Sequence, residues 1–152
     1  MISSPVRSVA CTCFALRKLS RTVTRLYDQH LAHAGLKTTQ FSLLRWAAHE
    51  ALPVAELAAR MAVERTTLTR NLKLLTEAGW IELRPGADAR QKLVIATDTG
   101  RDKIREAKKF WQAAQKEVQD TLGAETVAAL HLQLDHALLE LTPLLEHEGG
   151  MN

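Results

Sequence analysis

The chain has 152 residues, 46% hydrophobic and 24% charged, with 7 Gly, 4 Pro, 2 Cys and a formal net charge of +3. That length suits one compact domain, the composition is that of a folded soluble protein, and breakers are too sparse for a β-sandwich that turns every ~8–12 residues. No apolar run approaches the roughly 18 residues of a membrane span, and the N-terminal apolar stretch, broken by Thr12 and followed by Arg17 and Lys18, makes a poor signal peptide, so a cytoplasmic chain without a membrane partner is expected.

Apolar or small residues recur three or four apart at Val9, Cys13, Leu16, Ser20, Val23, Tyr27 and Leu31. This predicts one long helix over residues 9–34, stopped at Gly35. A second helix fits Thr39 to Glu50, with Thr38 or Thr39 as its cap and Phe41, Leu44 and Ala48 facing inward. Pro53 opens a short helix through about Arg60, with Val54, Leu57, Ala58 and Met61 on its apolar side. After a break at Ala62-Val63, residues 64–78 place Leu68, Leu72 and Leu75 on one stripe and Arg65, Thr66, Thr69, Arg70 and Lys73 on the opposite one. Gly79 ends that helix in the left-handed conformation.

The period then changes from helical to two. Trp80-Ile81-Glu82-Leu83-Arg84 and Leu93-Val94-Ile95-Ala96-Thr97 read as strands around the polar turn from Pro85 to Lys92, a hairpin with a long tip. Thr99-Gly100 precedes a long helix over residues 100–121, in which Ile104, Ala107, Trp111, Ala114 and Val118 keep heptad spacing. Gly123 marks a break. The last helix, residues 124–146, carries Val127, Leu130, Leu134, Leu138, Leu141 and Leu145, and Pro143 is expected to kink or end it. The fold class is therefore mainly α with a small β-hairpin wing (α+β): a winged helix-turn-helix flanked by long helices.

Two short helices followed by a hairpin suit one task. A helix about 10–12 Å wide fits the major groove of B-DNA, and its outer face must offer donors to phosphates and base edges. Residues 64–78 offer such a face, with Thr hydroxyls for phosphates or bases and Arg for phosphate or guanine. Arg90 and Lys92 at the hairpin tip have the reach for a neighbouring minor groove. Charge placement agrees with a polyanionic partner: residues 1–37 carry six bases against Asp28, whereas residues 101–147 carry six bases against eight acids.

The stretch PVAELAARMAVERTTLTRNLKLLTEAGWIELRPGADARQKLVIATDTGR resembles the DNA-binding core of the MarR (multiple antibiotic resistance regulator) family. The most specific matches are RTTLTRNLKLL, EAGWIE, the wing motif Asp88-Ala89-Arg90 and the T-x-x-G-R exit at Thr97 to Arg101. The flanking long helices match as well, so the resemblance covers almost the whole chain. It implies a homodimer held by interlocking outer helices, residues 1–36 and 100–148. Residues 37–99 would read a near-palindromic duplex operator, and residues 149–152 would form a flexible tail. It implies a repressor that a ligand or oxidant releases. It assigns Arg65, Thr66, Thr67, Thr69, Arg70 and Lys73 to the groove-facing helix, Arg90 to the minor groove, and Asp88 to orienting Arg90. Two positions depart from the family pattern. Ala62 stands where such turns often have Gly, at little cost if its φ stays negative. Glu64 stands where a short cap is common, and its longer side chain caps less well.

The sensing site is less marked. Family members bind small aromatic acids between the dimer helices and the DNA-binding lobe, which makes Arg17, Tyr27, His30, Phe41, Trp46 and Trp111 candidates for that cleft. The segment Cys13-Phe14-Ala15-Leu16 is similar to the reactive-cysteine helix of the organic hydroperoxide-sensing branch, and Tyr27 matches its assisting tyrosine. Another tyrosine of that branch is replaced here by Arg17. Arg17 lies one helical turn from Cys13, placed to stabilise a thiolate. Tyr27 lies fourteen residues from Cys13, roughly 21 Å along one helix, so any contact between them must cross a dimer. Cys11 lies about 200° around a continuous helix from Cys13, an arrangement that argues against a disulfide. His30 and His33 lack a third ligand at a metal spacing, so no metal and no cofactor are expected. No nucleophile–base pair or acid–base carboxylate pair falls on one recognisable site, which disfavours an enzyme.

The functional expectation is thus a dimeric DNA-binding repressor with a small aromatic inducer. The alternatives are hydroperoxide sensing through Cys13, and a winged domain kept for protein contacts. A protein-binding face would carry more exposed Leu, Phe or Tyr than the row Arg65, Thr66, Thr69, Arg70 and Lys73.

Overall fold

A computed structural model describes residues 11–146. The elements are α1 (Thr12–Leu31), α2 (Thr38–His49), β1 (Leu52–Pro53), α3 (Val54–Met61), α4 (Arg65–Glu77), β2 (Ile81–Pro85), β3 (Lys92–Ala96), α5 (Asp98–Leu122) and α6 (Ala124–Glu146). They fall into two compact units, residues 11–112 and residues 113–146 of the described chain, and α5 runs through the boundary. No described helix is long and apolar enough to cross a membrane. The expected helix start at residue 9 and the expected tail at residues 149–152 lie outside the described residues.

In the first unit the helical stripes close on a single core. Leu31, Leu43, Leu44, Leu57, Leu68 and Val94 are fully buried there. The α1 segment ends as expected: a 3-10 turn over Ala32–Ala34 leads to Gly35 at φ +70, and the Gly35 N–H donates to the Ala32 carbonyl at 2.9 Å. The cap of α2 differs from expectation. Lys37, not a threonine, occupies the N-cap position, and lysine has no acceptor for the helix N–H groups. Asp28 of α1 takes over, accepting both the Thr38 N–H and the Thr38 hydroxyl at 2.7 Å, so α1 caps α2. Gln40 Oε1 accepts the Lys37 N–H at 3.0 Å.

Pro53 does not lie inside α3. It sits at the N-cap and in β1, which pairs antiparallel with β3 through Leu52↔Val94 and Pro53↔Leu93. The hairpin is therefore part of a three-stranded sheet in the order β1-β3-β2. Proline has no N–H to donate, which confines it to a sheet edge, and β1 is an edge strand. Trp80 lies just before β2, and the β2–β3 register runs from Ile81↔Ala96 to Pro85↔Lys92.

α5 starts two residues before its expected position and is tied to the first unit by cations in its first turns. Arg101 Nη1 donates to the Ala48 carbonyl at 3.0 Å and Lys103 Nζ to the Ala34 carbonyl at 2.9 Å. Both acceptors end a helical segment, where carbonyls lack intrahelical partners and a positive charge is favoured.

In the second unit Gly123, at φ +86, breaks the chain between α5 and α6. α6 continues through Pro143 to Glu146 rather than ending there. Val127 is its buried residue, whereas Leu132, Leu138, Leu139, Leu141, Leu144 and Leu145 are exposed.

Candidate nucleic-acid interface

The turn from α3 into α4 is set by Ala62, at φ +50 and ψ +42. The Ala62 N–H donates to Ala59 and the Val63 N–H to Ala58, at 3.1 and 3.2 Å, closing the last turn of α3. A negative φ is expected for alanine, and here it is positive. The Cβ makes this conformation cost about 1–2 kcal/mol that glycine would not incur. The turn nonetheless aims α4. Glu64 precedes α4 in extended conformation and its side chain makes no cap hydrogen bond, in line with its length.

Leu68, Leu72 and Leu75 bury one stripe of α4. Arg65, Thr66, Thr69, Arg70 and Lys73 are exposed on the other side, and Thr67 is half-buried beside them. Among the described residues Arg65, Arg70 and Arg90 have no ion-pair partner. Lys73 stands 3.9 Å from Glu77, an exposed pair that holds it weakly. The Thr69 hydroxyl donates to the Arg65 carbonyl at 2.8 Å. Its proton is therefore occupied, and in this rotamer the hydroxyl keeps its lone pairs as acceptors.

The wing tip is ordered by Asp88, through the backbone rather than by an ion pair. Asp88 Oδ1 accepts the Arg90 N–H at 3.1 Å, the Asp88 carbonyl accepts the Gln91 N–H, and the Gln91 carbonyl accepts the Gly86 N–H, both at 2.9 Å. This is an Asx turn. It fixes the Arg90 backbone and leaves the guanidinium exposed at the tip. Lys92 is exposed at the start of β3, and Arg84 on β2 pairs with Glu82.

A joint unmarked by the helical pattern fastens the wing to both neighbouring helices. Thr97 Oγ1 donates to the Gly79 carbonyl at 2.6 Å and accepts the Gly100 N–H at 3.0 Å. The Thr97 N–H donates to the Trp80 carbonyl at 3.0 Å. Thr97 is thus the N-cap of α5, so the helix begins before the Thr99-Gly100 pair that was expected to precede it. Gly100 lies inside the first turn, so close to Trp80 that a Cβ would stand 1.9 Å from its carbonyl oxygen. The end of α4, the base of the wing and the start of α5 meet at these four residues.

The expected ligand residues fall on α1 (Arg17, Tyr27, His30), α2 (Phe41, Trp46) and α5 (Trp111). Phe41 and Trp111 come together, with ring centroids 6.2 Å apart. Trp46 lies further along α2 with the Arg60 guanidinium 5.5 Å from its ring, and Glu50 and Glu56 hold Arg60 at 3.0 and 2.6 Å. Arg17 lies on α1, in a surface groove with Cys11, Cys13, Phe14, Lys18, Arg21 and Arg25. Tyr27 and His30 are half-buried, and burial raises the Tyr27 phenol above its ordinary value. Both cysteines are free and exposed. Cys11 is extended at the N-cap of α1 rather than on a continuous helix with Cys13, so an angular separation along one helix does not describe the pair. His33 stacks on Phe110 at 5.4 Å. Among the described residues no group of three or more His, Cys, Asp or Glu is placed to hold a metal ion. Arg45 escaped the sequence reading: its guanidinium lies 5.9 Å from the Phe41 centroid and 5.1 Å from that of Trp111. The signal was available in part, since Arg45 follows Phe41 by one helical turn.

The MarR family model matches residues 34–91, which span α2 to the wing tip. The chain is 31% identical over 93 residues to the HTH-type transcriptional regulator YwoH of Bacillus subtilis, covering 60% of this chain and 67% of the relative. It is similar to the crystal structure of the M. tuberculosis transcriptional regulator MosR in complex with DNA. That similarity has 37% identity and a TM-score of 0.73, over 86% of this chain and 97% of the other. An E. coli MarR variant complexed with operator DNA matches at 26% identity and a TM-score of 0.75, over 90% and 99% of the two chains.

Proposed function

The chain belongs to the MarR family of DNA-binding transcription regulators, and from that premise we propose a homodimeric repressor that reads a near-palindromic duplex operator and releases it on binding a small aromatic acid. It is a regulator rather than an enzyme. The observation that carries the reading of the operator is the exposed face of α4. Arg65 and Arg70 lack protein carboxylate partners among the described residues, and they stand on a helix whose opposite stripe is anchored in the core. In this reading α4 enters the major groove, with Arg65, Thr66, Thr67, Thr69, Arg70 and Lys73 against bases and phosphates. Arg90 enters the flanking minor groove, carried by a tip that Asp88 holds in shape, and Lys92 contacts phosphate. The MosR and MarR complexes with DNA support this use of the fold.

Assembly follows from apolar exposure within each unit. Phe14, Leu16 and Leu19 are exposed on α1, and six leucines are exposed on α6. A second copy would cover such surface, and two-fold pairing is the commonest solution. In the proposed division, residues 1–36 and 100–148 pair while residues 37–99 read DNA, with half-sites about one helical turn apart.

Selection of an operator from random duplexes, followed by anisotropy titration and light scattering, tests the reading. A dimer that prefers a near-palindrome is expected. A monodisperse monomer at micromolar concentration, or equal binding to all duplexes, would overturn it.

One observation favours a second mode of release. Cys13 is exposed in the same groove as Arg17. A Cys13 thiolate attacking an organic hydroperoxide would break the O–O bond, leaving a sulfenate on Cys13 and an alcohol as product. Loss of hydroperoxide-driven release in Cys13→Ser, with normal operator affinity, would select this mode over the aromatic acid.

A further inference from the structure

We propose that Thr97 is a positioning residue for DNA reading: its one hydroxyl holds α4 and the wing in a fixed mutual register, so that both meet their grooves together. This rests on the operator reading above and adds to it what sets the relation of its two contacting parts. Register matters because those parts stand on different elements, Arg65 and Arg70 on α4 and Arg90 at the wing tip. Thr97 follows β3 at the opposite end of the wing from that tip. At about 3.3 Å per residue the strand puts the tip roughly 17 Å from the base, so a tilt of about 10° at the base moves the tip by roughly 3 Å. That is about the length of one hydrogen bond, enough to take the Arg90 guanidinium away from its contact.

The path from α4 to the wing base has no slack. The Gly79 N–H donates to the Thr76 carbonyl and the Trp80 N–H to the Leu75 carbonyl, both at 3.0 Å, which makes Gly79 and Trp80 an extension of the last turn of α4. The Thr97 hydroxyl takes the Gly79 carbonyl at 2.6 Å, and the Thr97 N–H takes the Trp80 carbonyl at 3.0 Å. An N-cap needs only to accept a helix N–H, as Thr97 does from Gly100 at 3.0 Å. The bond to Gly79, 18 residues earlier, is not needed to cap α5; it ties α4 to the wing. α5 is itself fixed by Arg101 on the Ala48 carbonyl and Lys103 on the Ala34 carbonyl, and Lys103 Nζ also lies 4.9 Å from the Trp80 ring centroid. The joint therefore refers both DNA-reading parts to one frame.

Three substitutions separate this role from capping. Thr97→Val keeps the shape and removes the hydroxyl. Thr97→Asp keeps an acceptor for the Gly100 N–H, and aspartate caps at least as well as threonine, but its carboxylate has no proton for the Gly79 carbonyl. Thr97→Ser keeps both bonds. Each full-length variant is melted and titrated with the selected operator and with a random duplex. Thr97→Val and Thr97→Asp should lose about tenfold in preference for the operator over the random duplex, and Thr97→Ser should retain it. The charge added by Thr97→Asp weakens both duplexes alike, so the ratio is insensitive to it. Arg90→Ala is then added to the wild type and to Thr97→Asp. Its cost in operator affinity should shrink several-fold in the Thr97→Asp background, because the wing there no longer delivers Arg90 in register with α4. A role confined to stability would leave that cost unchanged in the folded protein. Wild-type preference in a folded Thr97→Asp, or an undiminished cost of Arg90→Ala there, would overturn the proposal. Absence of any operator preference in the wild type would instead overturn the operator reading itself.

Discussion

Substitution of Gly100 by alanine tests whether the joint between wing and α5 is as tight as its geometry implies. The added Cβ would stand 1.9 Å from the Trp80 carbonyl oxygen, 2.9 Å from its carbonyl carbon and 3.2 Å from its Cα. These are backbone atoms, which cannot rotate away like a side-chain terminus. An ordinary C···O contact is well over 1 Å longer, so the first turn of α5 must retreat from the base of the wing. That retreat stretches the Thr97 bonds to Gly79 and Gly100, now 2.6 and 3.0 Å. Overpacking costs about 1–3 kcal/mol and each weakened hydrogen bond about 1 kcal/mol, against a gain of up to about 1 kcal/mol from alanine's helix propensity. The net expectation is about 2–4 kcal/mol, a drop of roughly 4–16 °C in the thermal midpoint at this chain length. Gly79→Ala is the matched comparison. Gly79 has nothing within 4 Å of its missing Cβ, and its φ of +76 makes backbone strain, about 1–2 kcal/mol, the main penalty. Thermal and urea unfolding of both variants supply the measurement. A Gly100→Ala protein that melts within 2 °C of wild type, or less destabilised than Gly79→Ala, would refute the close-contact argument.

Three further outcomes are expected. Ala62→Gly should raise stability by roughly 0.5–1 kcal/mol, relief of the positive φ being partly offset by the freer unfolded chain; a lower urea midpoint would count against the strain. Arg70→Ala and Arg90→Ala should each weaken operator binding and reduce the salt slope by about one unit without lowering the thermal midpoint, and wild-type affinity across a salt series in both would remove them from the interface. Burial raises the Tyr27 phenol, so the folded chain holds that proton longer than the unfolded chain. The stabilising effect is complete below the unfolded value of about 10 and fades as pH rises through the higher folded value; Tyr27 is the single tyrosine, and its absorbance titration should show a midpoint above 10 in native protein that falls to about 10 in denaturant.

What was legible in the sequence is what repeats. The stripe Leu68, Leu72 and Leu75 fixes the face of α4 that turns inward, because a period of 3.6 leaves one orientation that buries all three. Gly35 and Gly79 mark helix ends because left-handed backbone selects for them. Elements resting on a single contact left no such trace. Two residues carry no period, so β1 was unreadable, and its proline pointed to the helix that follows. A small cost at Ala62 hangs on a negative φ, yet the turn into α4 has the other sign.

The same reasoning explains how the candidate sites fared. The exposed row on α4 was legible because exposure is the complement of a periodic core. The hydrogen bonds that shape the wing were not, since Asp88 near Arg90 suggests an ion pair, and only coordinates distinguish that from a carboxylate accepting a backbone N–H at 3.1 Å. The aromatic cluster shows the limit most clearly. Phe41 and Arg45 are one turn apart on α2, a proximity that spacing predicts. Trp111, some 66 residues beyond Arg45 on α5, joins them only because α5 is docked by Arg101 on Ala48 and Lys103 on Ala34. Those two cations satisfy the carbonyl ends of two helical segments in the same unit. Their placement therefore sets the depth at which α5 lies and whether Trp111 reaches the Arg45 guanidinium. The ring contacts of Arg45 on α2 thus go with end-capping by α5, a relation between segments distant in the chain that spacing along either helix cannot express.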